Sequence, residues 1–207
     1  MKLKRISFFT AEALLIIVTI VGIIWLQVSR DFVISLTPLF LLLNMTLLTL
    51  RLRSASALPM MIVAAASIGF TSELIGVNTG ILFGDYQYGS VLGPGLFGVP
   101  LLLIVLWPLV TITIWSFLQT KQRSGWVILI GALTAVAYDV LLEQFATRYD
   151  LWSWNEGIPI SNYVGWLFIS ALIFAIFYSK RWSLPRTNLS LCIVACQISF
   201  LLIALIN

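Results

Sequence analysis

The apolar positions of this chain fall in long uninterrupted blocks. Neither the three-and-four spacing of a surface helix nor the alternation of a half-buried strand dominates. Ala13 to Leu26, Phe32 to Leu50 and Val99 to Leu118 carry almost no formal charge. About 20 residues of helix cross a bilayer, and lipid-exposed backbone must satisfy its hydrogen bonds internally. The pattern therefore predicts helices near 8–28, 32–50, 58–78, 98–118, 125–146, 160–178 and 188–206. The expected fold is all-α: a polytopic membrane helix bundle of about seven transmembrane helices, with residues 1–207 forming a single transmembrane domain. Met1 to Arg5 and the apolar run behind it do not read as a signal peptide. The run is too long, carries Glu12 and lacks an Ala-x-Ala exit, so it is taken as the first helix.

Charge gives these helices a direction. Lys2, Lys4, Arg5, Arg51, Arg53, Lys121, Arg123, Lys180, Arg181 and Arg186 all fall in one set of alternate connections, leaving Arg30 and Arg148 for the other set. Basic residues collect on the cytoplasmic side, which predicts the N-terminus inside, the C-terminus outside and residence in the cell membrane. The formal net charge of +4 then reflects topology. Anionic lipid headgroups account for the basic loops, and no nucleic-acid partner is expected. Composition agrees, with 60% hydrophobic and 10% charged residues against about 25% charged in soluble domains. The chain also has no histidine, which excludes Ser-His-Asp triads, HExxH zinc sites and histidine-ligated haem.

Of the eight acids, Asp31, Asp85, Asp150 and Glu156 lie in outer connections, and Glu12, Glu73, Asp139 and Glu143 lie inside predicted spans. Glu12, near Lys4 and Arg5, reads as interfacial. Glu73 lies about 16 residues into an outward-running helix, and Asp139 and Glu143 about 15 and 19 residues into another. At about 1.5 Å per residue all three fall in the outer third of the bilayer. Asp139 and Glu143 share a helical face at i,i+4 spacing. Intramembrane acids are costly and normally face a cavity or partner, so one polar pocket opening outward or sideways is expected. Headgroup contact for Glu143, and interior structural hydrogen bonding for Glu73 and Asp139, stay open beside that reading. The two longest loops, 79–97 and 147–159, lie on the same side and are rich in glycine, proline and aromatic residues, the composition of functional loops. Ala65, Gly69, Gly76 and Gly80 form a small-residue seam beside Glu73. Cys192 and Cys196 read as buried small hydrophobes, and Trp25, Trp115, Trp126 and Trp182 as interfacial belt residues.

The run from Glu73 through Gly76, Thr79-Gly80, Phe83-Gly84, Tyr86 and Tyr88 to Leu92-Gly93-Pro94, Gly98-Val99-Pro100 and Trp107 resembles a family of carotenoid-biosynthesis membrane proteins. That family includes carotenoid 1,2-hydratases of the bacterioruberin and γ-carotene pathways. Tyr138-Asp139, Trp152-Ser-Trp154 and Gly157-Ile-Pro159-Ile-Ser-Asn162-Tyr-Val-Gly165-Trp166 are similar to a second block of the family. Where the family usually has Asp-Pro after the Asp139 block, this chain has Glu143-Gln144, and its Trp-x-Trp and Gly-Ile-Pro blocks stand closer together.

The resemblance implies addition of water across the terminal C1–C2 double bond of an acyclic carotenoid, giving a tertiary alcohol. A carboxyl withdrawn from water holds its proton more readily, so Asp139 is expected as proton donor and Glu73 as the group that positions water, with the reverse assignment also open. A second carboxylate can deprotonate the attacking water, and aromatic faces stabilise a nearby cation. Tyr86, Tyr88, Trp152, Trp154, Asn162 and Trp166 are the expected substrate-binding residues. The substrate is a lipophilic polyene entering from the bilayer, and no cofactor or resident metal is expected. Two other classes fit the same acids: a cation- or proton-coupled small transporter, for which Glu73, Asp139 and Asn162 would suit Mg²⁺ or Mn²⁺, and a non-catalytic carotenoid-binding or assembly subunit.

Overall fold

Proline and glycine set several of the helix ends. Pro38 and Pro59 sit in the first turns of their helices, where a missing N–H costs nothing. Gly80 ends its helix in the left-handed region at φ 69°, donating its N–H to the Gly76 carbonyl. A computed structural model describes residues 9–119 and 124–206. In chain order it contains α1 (Phe9–Leu26), α2 (Arg30–Ser35), α3 (Thr37–Leu52), α4 (Leu58–Thr79), β1 (Tyr86–Tyr88), β2 (Gly95–Leu96), β3 (Val99–Pro100), α5 (Leu103–Leu118), α6 (Trp126–Arg148), β4 (Trp152–Trp154), α7 (Ile160–Ser179) and α8 (Asn188–Ile206).

The expected all-α membrane bundle is the observed architecture. Helices α4, α6, α7 and α8 are long and apolar enough to cross a bilayer, while α3, α5 and the Ala11–Leu26 part of α1 are shorter apolar helices. Two expected spans need correction. The span over 32–50 breaks at Leu36, between α2 and α3, because Pro38 has no N–H to donate to the Ile34 carbonyl and its ring crowds that carbonyl, so a new helix starts at Thr37. The span over 98–118 starts only at Leu103. Its first residues turn at Gly98 (φ 81°), and Val99–Pro100 pairs antiparallel with Gly95–Leu96 as a tight hairpin.

Helix α5 is the centre of the bundle, with every residue from Leu106 to Ser116 buried. α4 packs along it, α7 packs along α6, and α8 lies against α1. The buried apolar side chains form one continuous cluster from Leu15 in α1 to Ala204 in α8. Outward-facing residues such as Ile17, Ile20 and Ile24 of α1 remain exposed, as a lipid-facing surface requires. Trp115, expected at the interface, is instead buried, stacked on Phe174 with its indole N–H donated to the Trp182 carbonyl at 3.0 Å. An indole N–H can enter the core once a backbone acceptor is supplied. Glu12 also finds a different partner, since Arg51 of α3 reaches both its carboxylate oxygens at 2.8 and 2.9 Å. Lys2, Lys4, Arg5, Lys121 and Arg123 lie outside the described residues.

The small-residue seam of α4 accommodates rings as well as a neighbouring helix. A Cβ at Gly69 would overlap the Trp107 ring of α5, and one at Gly76 would overlap Phe83 and crowd the Tyr86 hydroxyl. Overpacking of this kind costs about 1–3 kcal/mol. Gly69→Ala should therefore lower the thermal midpoint in detergent. Gly125→Ala, at a site with no neighbour within 4 Å, should leave it within about a degree of the parent, and equal midpoints for the two variants would refute the packing argument.

Candidate active site: three acids beneath an aromatic strand pair

Glu73 projects from α4, and Asp139 and Glu143 project from one face of α6. All three are buried, Asp139 completely. The loops that follow these two helices each carry an aromatic-x-aromatic triplet, and the triplets pair as antiparallel strands. Tyr86 faces Trp154, Gln87 faces Ser153 and Tyr88 faces Trp152. Side chains alternate across a strand, so the four rings lie on the inner face while Gln87 and Ser153 are exposed. The loops are tied further by the Gly89 N–H to the Leu151 carbonyl at 2.8 Å, by Ser161 to the Phe83 carbonyl at 3.1 Å, and by the Asn155 amide to the Asp85 carboxylate.

Each ring on that face delivers a donor to an acid. The Tyr86 and Tyr88 hydroxyls donate to Glu73 Oε2 at 2.6 and 2.7 Å, and the Trp107 indole donates to Oε1 at 3.0 Å. The Trp152 and Trp154 indoles donate to Glu143 Oε2 at 2.9 and 2.8 Å. The Asn162 amide of α7 spans the two acids of α6, donating to Asp139 Oδ2 at 2.9 Å and Glu143 Oε1 at 3.1 Å. Asp139 Oδ1 is buried with no partner among the described residues. Burial, and next the charge of Glu73, push the Tyr86 and Tyr88 hydroxyls well above the usual phenol range. Both therefore remain protonated donors.

The rings also brace one another. Trp166 stacks on Trp107 at a centroid distance of 4.3 Å, Tyr86 lies 4.9 Å from Trp154, and Tyr88 meets Trp152 edge-on at 5.7 Å. Such pairs add about 0.5–1.5 kcal/mol each beyond area burial.

A residual cavity of about 10 Å³ remains in the middle. Glu73, Glu143, Asn162 and the four strand rings border it, together with Trp166, Phe83, Leu103 and Leu106. That volume is at the lower limit for one water molecule. Leu103, Leu106 and Trp152 also border a second cavity of about 320 Å³, nearly all apolar.

The structure thus gathers the expected residues Glu73, Asp139, Tyr86, Tyr88, Trp152, Trp154, Asn162 and Trp166 into one site. Asp139 stands one step behind the small cavity and reaches it through Asn162. Glu143, for which headgroup contact was an open reading, is instead a central member, because two indoles and an amide satisfy it inside the bundle. Trp107 is the residue whose part the sequence did not disclose. Its donor role depends on Gly69 leaving room for its ring across α4, a contact with no local sequence signature.

Comparison with known proteins agrees in class. A family described as carotenoid biosynthesis protein matches residues 32–207. The bisanhydrobacterioruberin hydratase of Haloarcula japonica is 32% identical over 126 residues, covering 56% of this chain and 43% of that protein. The match thus spans under half the length of that relative. No solved structure matches.

The strand pair makes a sided prediction. Trp154→Phe removes one donor from a buried carboxyl, a loss of about 1–3 kcal/mol, whereas Gln87→Ala on the opposite strand face should change stability by less than about 0.5 kcal/mol. Thermal unfolding of the two purified variants checks this, and a Trp154→Phe protein as stable as the parent would refute the donor role.

Proposed function

Taking as premise that the chain belongs to the carotenoid biosynthesis protein family, we propose that its buried acids add water to the terminal C1–C2 double bond of an acyclic carotenoid. The observation that carries the reading is the cavity at the lower limit for one water, bordered by two carboxyls and sharing Leu103, Leu106 and Trp152 in its lining with a large apolar cavity. Hydration of an isolated alkene needs this juxtaposition: a hydrocarbon end, an acid, a base and one held water. The similarity to a protein named as a hydratase supports the same reaction class.

In this mechanism Asp139 and Glu143 share one proton. All the donors around the three acids are neutral phenols, indoles and an amide, and burying charges with no cationic partner is costly. A shared proton removes one charge, and the unpartnered Asp139 Oδ1 leaves room for it. Glu143, which borders the small cavity, passes the proton to C2, and Asp139 behind it is the reserve. The electrons of the C1–C2 π bond form the new C2–H bond and leave a tertiary cation at C1. The faces of Trp152, Trp154 and Tyr86 stabilise that cation by about 0.5–2 kcal/mol each. Water held by Glu73 and Asn162 forms the C1–O bond and gives its extra proton to Glu73. The product is a tertiary alcohol, and return of the proton from Glu73 to the Asp139–Glu143 pair resets the site. The balance is one water consumed, with no oxidant or reductant.

The test is expression in a bacterial host that accumulates lycopene, with pigments analysed by chromatography and mass spectrometry. The parent chain should yield a product heavier by one water. General acid–base groups contribute about 10²–10⁴-fold, so Glu143→Gln and Glu73→Gln should each cut product formation at least a hundredfold. Asp139→Asn should do the same if it stores the proton, and full activity in that variant would remove it from the mechanism. No hydrated product from a well-expressed parent chain, tested on several acyclic carotenoids, would overturn the reading.

A further inference from the structure

We propose that the 320 Å³ cavity between α1, α2, α3, α5, α6 and α8 is an end-on slot for the terminal isoprenoid units of the polyene. Its occupant reaches the acids past Leu103, Leu106 and Trp152. The proposal rests on the hydration reading for the identity of the occupant, but its physical basis is separate. Apart from the hydroxyls of Thr19, Thr37 and Tyr138 and the amide of Gln197, the wall is hydrocarbon and aromatic. The Thr19 hydroxyl is already committed to the Leu15 carbonyl at 2.8 Å. A ligand held mainly by such a wall is an apolar chain.

The cavity has a rim and a floor. Ile17, Val21, Trp25 and Phe32 at the rim are about half exposed, on a surface that α1 and α2 present to lipid, whereas Leu103, Leu142 and Trp152 at the floor are buried. The path runs from the bilayer inward to the wall shared with the acid site. On the scale on which about 10–15 Å³ holds one water, 320 Å³ holds roughly twenty to thirty carbon-sized groups, fewer than the carbons of a carotenoid such as lycopene. One end is therefore engaged, and the rest of the chain extends past the rim into the membrane. This gives α1, α3 and α8, which supply no acid to the site, a substrate-recognition role.

Gly22 offers the means of testing it. It lines the cavity, its backbone is regular helix, and an added Cβ would make only an ordinary 3.5 Å contact with the Phe200 ring. A large side chain there would occupy the slot and leave the acids untouched. The parent chain, Gly22→Phe, Val18→Phe and Glu143→Gln would be purified in detergent from lycopene-accumulating cells. Bound lycopene per protein would be measured by absorbance, hydrated product by mass spectrometry, and folding by the thermal midpoint.

The parent and Glu143→Gln should retain comparable lycopene, with product formed only by the parent. Folded Gly22→Phe and Val18→Phe should each retain at least fivefold less lycopene and form correspondingly less product. If a folded bulky variant binds and hydrates lycopene like the parent, the slot is wrong and the hydration reading stands. If the parent binds lycopene, the bulky variants do not, and no product forms at all, the slot stands and the hydration reading fails. Retention of phospholipid by the parent with no lycopene above an unrelated membrane protein would identify the cavity as a lipid site and overturn the proposal.

Discussion

Everything in this structure follows from the difficulty of keeping carboxyl groups inside an apolar bundle. Among the described residues no Lys or Arg supplies a hydrogen bond to the acids of the site, and the chain brings neutral donors to them instead. It does so with rings. A phenol or indole carries one polar hydrogen on a large apolar body, which lets the same side chain satisfy an acid and fill the core. The period-two geometry of a strand then places two such rings per loop on one face. This explains why an otherwise helical protein spends six residues on β1 and β4. It also explains glycine on α4 where a ring must lie against the helix backbone.

The result is a site with two compartments of opposite character sharing one thin wall. On one side, donors and carboxyls surround a space for a single water. On the other lies hydrocarbon of the same kind as the bilayer. In the proposed reaction such a division would keep the carbocation away from bulk water and limit its nucleophile to the room left for one molecule. A cavity at the threshold of one water leaves little margin, so the positions of the bordering Trp152 and Trp166 rings set whether one fits.

Much of this was readable from the chain. Long apolar blocks gave the helices, and equal depth from the helix starts brought Glu73 and Asp139 together, because helix rise converts residue number into height. The two aromatic loops were identifiable by composition. Three features were not. The break at Leu36 and the late start of α5 were hidden because apolar composition does not distinguish helix from a hydrophobic turn. The role of Glu143 was ambiguous because depth alone cannot separate a headgroup contact from an interior one, and the Trp152 and Trp154 indoles decide it. The large cavity was invisible, since it arises from how α1, α3 and α8 fail to fill space between them, and no periodicity records a gap.

The sequence distances within the site have a bearing on how the protein enters the membrane. Glu73 finds Tyr86 and Tyr88 only 13 and 15 residues downstream, and Glu143 finds Trp152 and Trp154 only 9 and 11 downstream. Glu73 and Glu143 are thus each followed, in the loop that closes their own helix, by two of the groups that satisfy them, while Asp139 takes its donor from Asn162 of α7. α4 with its loop and α6 with its loop are two structurally parallel halves, each an acid-bearing helix, a ring-bearing strand and a following helix, and β1–β4 pairing joins them. Each acidic helix therefore enters the bilayer with donors for its acid close behind it in the chain, and β1–β4 pairing then fixes the rings of both halves.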